Sequence, residues 1–186
     1  MLNSGMDART DDQLVRAASR GDHAAFEVLY FRHRDFVYRV ALRHTRGHAA
    51  ALDVAQDTFA YLLRKLPGLR LSGKLSTYLY PVIRNIALAQ LRRPDAALSA
   101  SIGPARDVES PATASDDALD RHLIAAVERL PDAQREVLLL RVVDELSVDE
   151  VAAALGVPPG TIKSRLHNAL AMLRNERGLR DWFDQS

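Results

Sequence analysis

Thr161, Lys163, Ser164, Arg165 and His167 stand close together in one stretch, LGVPPGTIKSRLHNALAMLR, residues 155–174. At helical spacing Gly160, Ser164, His167, Asn168 and Ala171 share one face, with Thr161, Lys163 and Arg165 on its flanks. Ile162, Leu166, Ala169, Leu170 and Leu173 share the other. The chemistry open to such a helix is recognition rather than bond making. Small residues allow close approach, hydroxyl and imidazole groups hydrogen-bond base edges, and cations neutralise phosphates. No acid occurs between Glu150 and Glu176 to oppose that contact. A helical hairpin with a solvated outer face would use the same periodicity, but the missing acids favour a nucleic-acid partner.

A second set lies in an acid-free stretch from Thr58 to Pro94 that holds Arg64, Lys65, Arg70, Lys74, Arg84, Arg92 and Arg93. Tyr61, Tyr78 and Tyr80 are interleaved with these cations, and a Gly-containing loop, Pro67 to Gly73, sits among them. Cations for phosphates and aromatic faces for bases suit single-strand binding. Thr77, Arg84, Asn85 and Arg92 fall away from the apolar side of the helix that follows, where Asn85 could hydrogen-bond an unpaired base. A solvated basic face over core tyrosines is the alternative. A third set, Asp53, Gln56 and Asp57, opens a helix. Favourable acid–dipole interaction explains acids there without a partner, and a protein-docking patch is the other explanation.

Other constellations lack motif support. His44 and His48 have the i, i+4 spacing of a helical zinc pair, but no HExxH motif surrounds them and Gly47 interrupts the pair. They are expected at the surface, without a metal. No Ser-His-Asp arrangement, paired-carboxylate motif or phosphate-cradling glycine loop is evident, so no enzyme activity and no cofactor is expected.

These side chains need helices to position them. The apolar spacing predicts helices over 11–20, 22–46, 50–66 and 76–92, then 119–130, 132–142, 147–155 and one from about Pro159. Thr10 or Asp11 would cap the first helix and Gly21 would stop it. Phe26, Leu29, Tyr30, Phe36, Val37, Val40 and Ala41 stripe the second, and Gly47 interrupts after it. Leu79, Val82, Ile83, Ile86, Ala87 and Gln90 line the inner side of the fourth. Ser147 and Glu150 have capping-box spacing, Gly156 supplies the sharp turn, and Pro159 can occupy a first helical turn. That pair reads as a helix-turn-helix. No strand pattern competes, so the class is all-α. Residues 94–118, rich in Ala, Ser, Pro and Asp, read as a flexible linker between helical domains at 1–93 and 119–186.

The 186 residues carry a net charge of only +1, which hides the basic stretch and the acidic linker beside it. Cysteine is absent, which excludes disulfides, thiol nucleophiles and cysteine-ligated zinc and fits a reducing cytoplasm. The apolar runs are too short to span a bilayer, and MLNSGMDARTDD lacks a signal-peptide pattern. A cytoplasmic protein without direct membrane insertion is expected.

The segments ALDVAQDTFAYLLRKL (51–66), KLSTYLYPVIRNIALAQLRR (74–93) and LPDAQREVLLLRVVDELSVDEVAAALGVPPGTIKSRLHNALAMLR (130–174) resemble the extracytoplasmic-function sigma factors of bacteria. The resemblance implies a region 2 domain and a region 4 helix-turn-helix domain. It implies that Asp53, Gln56 and Asp57 dock on the β′ clamp helices of core RNA polymerase. It assigns Arg70, Lys74, Thr77, Tyr78, Arg84, Asn85 and Arg92 to recognition and melting of the −10 promoter element. Thr161, Lys163, Ser164, Arg165 and His167 would read the −35 element, and the leucine-rich back of that domain would meet the β flap. An anti-sigma factor, able to hold the protein at the membrane, is a further implied partner; a small-molecule substrate is not. Tyr78 stands where the family usually has tryptophan, and Pro81 where an unhindered helix former is more usual. Trp182 and Phe183, in the tail 175–186, are expected to pack on region 4. The competing possibility is a helix-turn-helix regulator that binds duplex operator without joining a polymerase.

Overall fold

The computed structural model describes residues 7–92 and 116–176. All regular structure among them is helical: α1 Asp11–Ala18, α2 His23–His44, α3 His48–Lys65, α4 Leu75–Leu91, α5 Asp116–Arg129, α6 Asp132–Val142, α7 Val148–Leu155 and α8 Pro159–Arg174. The chain forms two compact units, Met1–Arg106 and Asp107–Ser186. The segment read as a linker lies mostly outside the described residues, and so do Trp182 and Phe183. α5 begins at Asp116, inside that segment and ahead of the expected start at Leu119.

In the first unit the caps follow from the sequence. The Thr10 hydroxyl accepts from the Gln13 N–H at 3.3 Å, and the Gln13 side chain accepts from the Thr10 N–H at 2.8 Å. Asp22 caps α2 by accepting from the Ala25 N–H at 3.0 Å. Gly47 does more than interrupt: with φ +100° it is the N-cap of α3, a conformation strained for any other residue. α2 packs on α1, α3 and α4, and α3 also packs on α4. Leu29, Val37 and Val40 of α2 and Leu14, Val54, Leu62, Leu79 and Ile83 of the helices packed around it are closed to water and form the core.

Phe26 and Tyr30 depart from the expected stripe. Phe26 is half-buried and Tyr30 is exposed, because the stripe of α2 is wider than the core it covers. Tyr80 departs the other way: it is 1% exposed, and its hydroxyl lies 3.4 Å from His44 Nε2. It is a core tyrosine and not part of a base-stacking set. His48 likewise has a tyrosine partner, the Tyr38 hydroxyl at its Nδ1. Pro81 leaves the start of α4 in place; it sits inside the helix and deletes the N–H that would reach the Thr77 carbonyl.

A polar cluster ties α1 to α2. Arg32 donates to Asp11 at 2.7 Å and to the backbone carbonyls of Asp7 and Arg9, and His33 Nε2 lies 2.8 Å from the other Asp11 oxygen. Burial pushes the Asp11 carboxyl up, but hydrogen bonds and charge from His33 and Arg32 outweigh it and hold the group at about 2.

In the second unit a core cluster joins Ala126, Leu130, Leu138, Ala169 and Leu173, with Leu166 and Leu170 packed against it. α7 opens with the expected capping box: Ser147 accepts from the Glu150 N–H at 3.2 Å, and the Glu150 carboxylate accepts from the Ser147 N–H at 2.7 Å. Such caps contribute about 1 kcal/mol. Gly156 ends α7 in the left-handed conformation, φ +67°, and Pro159 begins α8. Arg141 donates to the Leu146 carbonyl and so clamps the turn between α6 and α7. The turn-and-helix pair is thus fixed from both sides before any partner arrives.

Candidate nucleic-acid interface

α3 has two apolar faces. Ala51, Val54, Thr58 and Leu62 enter the core. Phe59 is buried at the edge of that face, and Leu52 and Leu63 lie beside it; with Phe26, Tyr30 and Tyr38 of α2 they line an open groove of about 640 Å³. Gln56 is part of that lining, and Arg34 and Asp35 add charge to it. Tyr30 packs against Phe59 with ring centres 4.7 Å apart, which holds the groove floor in shape. Leu52 and Leu63 are 59% and 48% exposed. Asp53 and Asp57 are exposed on the same helix. The structure therefore brings the three predicted docking residues to the surface and supplies the apolar neighbour that sequence reasoning missed. The signal was present: Leu52, Phe59 and Leu63 recur at helical spacing, displaced from the core stripe.

Arg70 is exposed in the loop before α4, and Lys74 is the exposed N-cap of that helix. Arg84, Asn85 and Arg92 are exposed along it. With Thr77 and Tyr78 they fall within about a third of the helix circumference, opposite Leu75, Leu79 and Ile83. Thr77 is half-buried, and its hydroxyl, closed to water, has no hydrogen-bond partner. Tyr78 is half-buried too; burial and then a hydrogen bond with Tyr61 raise its phenol above the usual tyrosine range. One face of α4 thus gathers cations, an amide and an aromatic ring, with no acid on the helix.

On α8, Lys163, Ser164 and His167 are exposed, while Thr161 and Arg165 are half-buried. Ile162, Ala169 and Leu173 form the buried back. The helical projection sets Thr161 and Arg165 on one flank and Lys163 on the other. Ser164 donates its hydroxyl proton to the Gly160 carbonyl at 3.0 Å, leaving acceptor lone pairs for an incoming group. A Cβ built on Gly160 would meet no atom within 4 Å, so packing within the protein does not demand that glycine. Its bare backbone fits close approach of a partner. Among the described residues, no group of three or more histidine or acidic side chains is placed to hold a metal.

Two family models match the chain: Sigma-70 region 2 over residues 29–96 and Sigma-70, region 4 over residues 121–173. These are the α2–α4 surfaces and the helix-turn-helix unit, and they set the class as a sigma-70-type transcription factor. The chain is 30% identical over 172 residues to the RNA polymerase sigma-H factor of Pseudomonas aeruginosa, covering 86% of this chain and 89% of that one. It is 30% identical over 180 residues to the ECF RNA polymerase sigma-E factor of Escherichia coli K12, covering 90% and 94%. The ECF RNA polymerase sigma factor SigW of Bacillus subtilis is 27% identical, with 90% and 95% covered. This chain belongs to the extracytoplasmic-function sigma factors of bacterial RNA polymerase. The fold is also that of CnrH, solved with the cytosolic domain of CnrY (TM-score 0.62, 22% identity, 95% of this chain and 98% of that one). It is shared with Bartonella quintana RpoE, solved with the anti-sigma factor NepR (TM-score 0.63, 24% identity, 80% and 94%). A regulator that never joins a polymerase leaves the region 2 match without an explanation.

Proposed function

We propose that this chain docks on core RNA polymerase through Asp53, Gln56, Asp57 and the groove beside them, and carries the enzyme to promoters with two elements. Arg70, Lys74, Thr77, Tyr78, Arg84, Asn85 and Arg92 take the −10 element as it opens. The cations hold phosphates, Tyr78 stacks on a base, and Asn85 hydrogen-bonds an exposed base edge. Thr161, Lys163, Ser164, Arg165 and His167 face the −35 element as intact duplex, with α8 in the major groove. Residues 1–93 and 119–186 are the working domains, and 94–118 is the tether. Once one element is bound, the tether raises the effective concentration of the other module. The chain makes no bonds itself. It spends binding energy on strand separation, and the polymerase synthesises RNA.

The observation that carries this proposal is the acid-free polar face of α4, opposite its core side and on the same unit as an uncovered apolar groove. Its place of action is the cytoplasm. Anti-sigma binding, seen for Bartonella quintana RpoE, is proposed here as the way the docking and DNA faces are held off until needed. No described helix is long and apolar enough to cross a membrane. Membrane tethering would therefore come through that inhibitor. Asp57→Arg reverses an exposed charge at the docking patch. Capture by core polymerase should weaken by about tenfold or more, with thermal unfolding unchanged. Unchanged capture would remove Asp57 from the interface.

A further inference from the structure

Pro81 lies inside α4 and has no backbone N–H. The Thr77 carbonyl, four residues earlier, therefore lacks its helical donor. The proline ring also crowds that carbonyl and turns it away from the helix axis. The Thr77 hydroxyl is closed to water and has no hydrogen-bond partner, so the helix leaves over two polar groups of one residue. The helical projection puts Pro81 in the middle of the polar face, between Thr77 and Asn85, with Arg84 and Tyr78 at its edges. Leu75, Leu79, Ile83 and Ala87 lie buried on the other side. The gap in the hydrogen-bond ladder thus opens towards the polar face and not towards the core.

A backbone carbonyl offers lone pairs and no proton, so it accepts from an N–H and repels another oxygen. Adenine and cytosine carry an exocyclic amino group where guanine and thymine carry an oxygen. We propose that Pro81 is a specificity-determining residue: by withholding its own N–H it frees the Thr77 carbonyl to accept from the exocyclic amine of an unpaired adenine or cytosine in the opened −10 strand. No carboxylate on α4 competes for that amine. The cations of the same face hold the flanking phosphates and bring the base within reach. Because the base must leave its stack to present this edge to the body of a helix, the contact favours the opened strand over the duplex. The inference rests on the assignment of this face to the −10 element.

The test uses the full chain with core polymerase and fork-junction DNA from a promoter it transcribes. The −10 non-template strand is single-stranded there, so duplex melting does not enter the measurement. Each adenine and cytosine of that strand is replaced in turn by its deamino analogue. Replacement at one position should weaken binding by about three- to tenfold, the range of one hydrogen bond. Pro81→Ala restores the N–H that closes the helix on the Thr77 carbonyl. It should weaken fork binding by a similar factor, melt no lower than wild type and become indifferent to the missing amine. Polymerase capture and duplex binding by the helix-turn-helix unit should not change. Wild-type protein indifferent to every replacement would overturn the proposal whether or not the variant folds, and so would a replacement effect that survives undiminished in Pro81→Ala. A variant carrying both Tyr78→Ala and Asn85→Ala separates the two levels. If it binds the fork normally, the −10 assignment fails and the inference with it. If it is defective while Pro81→Ala binds and discriminates as wild type does, only the acceptor role fails.

Discussion

Leu52→Ala probes the docking groove without disturbing the core. Leu52 is 59% exposed on α3, whereas Leu62 on the same helix is fully buried. Burying a whole leucine side chain contributes roughly 1.5–3 kcal/mol. Scaling by the exposed fraction leaves about 1–2 kcal/mol for a partner to recover on covering Leu52. Truncation should therefore weaken capture by core polymerase about 5- to 20-fold. Stability of the free protein should change by less than about 1 kcal/mol, since the side chain has little packing to lose. Leu62→Ala is the control in the core: a loss of about 2–5 kcal/mol in folding stability, with capture by the folded fraction unaffected. Labelled protein titrated with core polymerase and followed by fluorescence anisotropy gives the first quantity, and calorimetric melting gives the second. A Leu52→Ala variant that melts normally and binds polymerase within about twofold of wild type would refute the claim that the groove is covered on docking.

Arg165 sits half-buried on the flank of α8, which suits a phosphate contact. Arg165→Ala should weaken duplex binding equally for all sequences and flatten the salt slope by about one unit. A loss confined to one base position would make it a base reader, and no loss would take it out of the interface. Gly160→Ala should stabilise the second unit by up to about 1 kcal/mol while weakening duplex binding; equal binding would contradict close backbone approach at that point. The first unit should lose stability as pH falls from about 4 towards 2. The Asp11 carboxyl is held at about 2 in the folded protein, below its unfolded value near 3.9, so its contribution is present above the higher value and lost on descent through the lower. The Arg9 hydrogen bond holds Asp7 at about 2 as well, in the same window. Asp11→Asn should flatten this acid limb in a pH series of melting curves, and an unchanged limb would exclude the Asp11 cluster as its source.

Local signals made the element plan legible. Ser147 with Glu150, Thr10 and Gly156 specify their turns through neighbours in sequence, and α6 runs over 132–142 as the spacing predicts. What depends on partners far along the chain was not legible. Tyr80 looks like its neighbours Tyr61 and Tyr78 among the cations, and only the crossing of α2 and α4 decides that it is buried against His44. Phe26 and Tyr30 satisfy the core period of α2, yet the width of the helix pair leaves them at the groove. The start of α5 was hidden because Ala, Ser and Asp are compatible with linker and helix end alike. The site residues on α4 and α8 were legible because charge and periodicity agree there. The groove was missed because α3 carries a second apolar stripe beside its core face.

The most direct measurement is run-off transcription by purified core polymerase on a library of genomic promoter fragments, with and without the full chain. Discrete new transcripts should arise from start sites that share two upstream elements at fixed spacing, and Tyr78→Ala should reduce opening there while leaving duplex binding intact. Polymerase that initiates no better with the protein than without it would contradict the account.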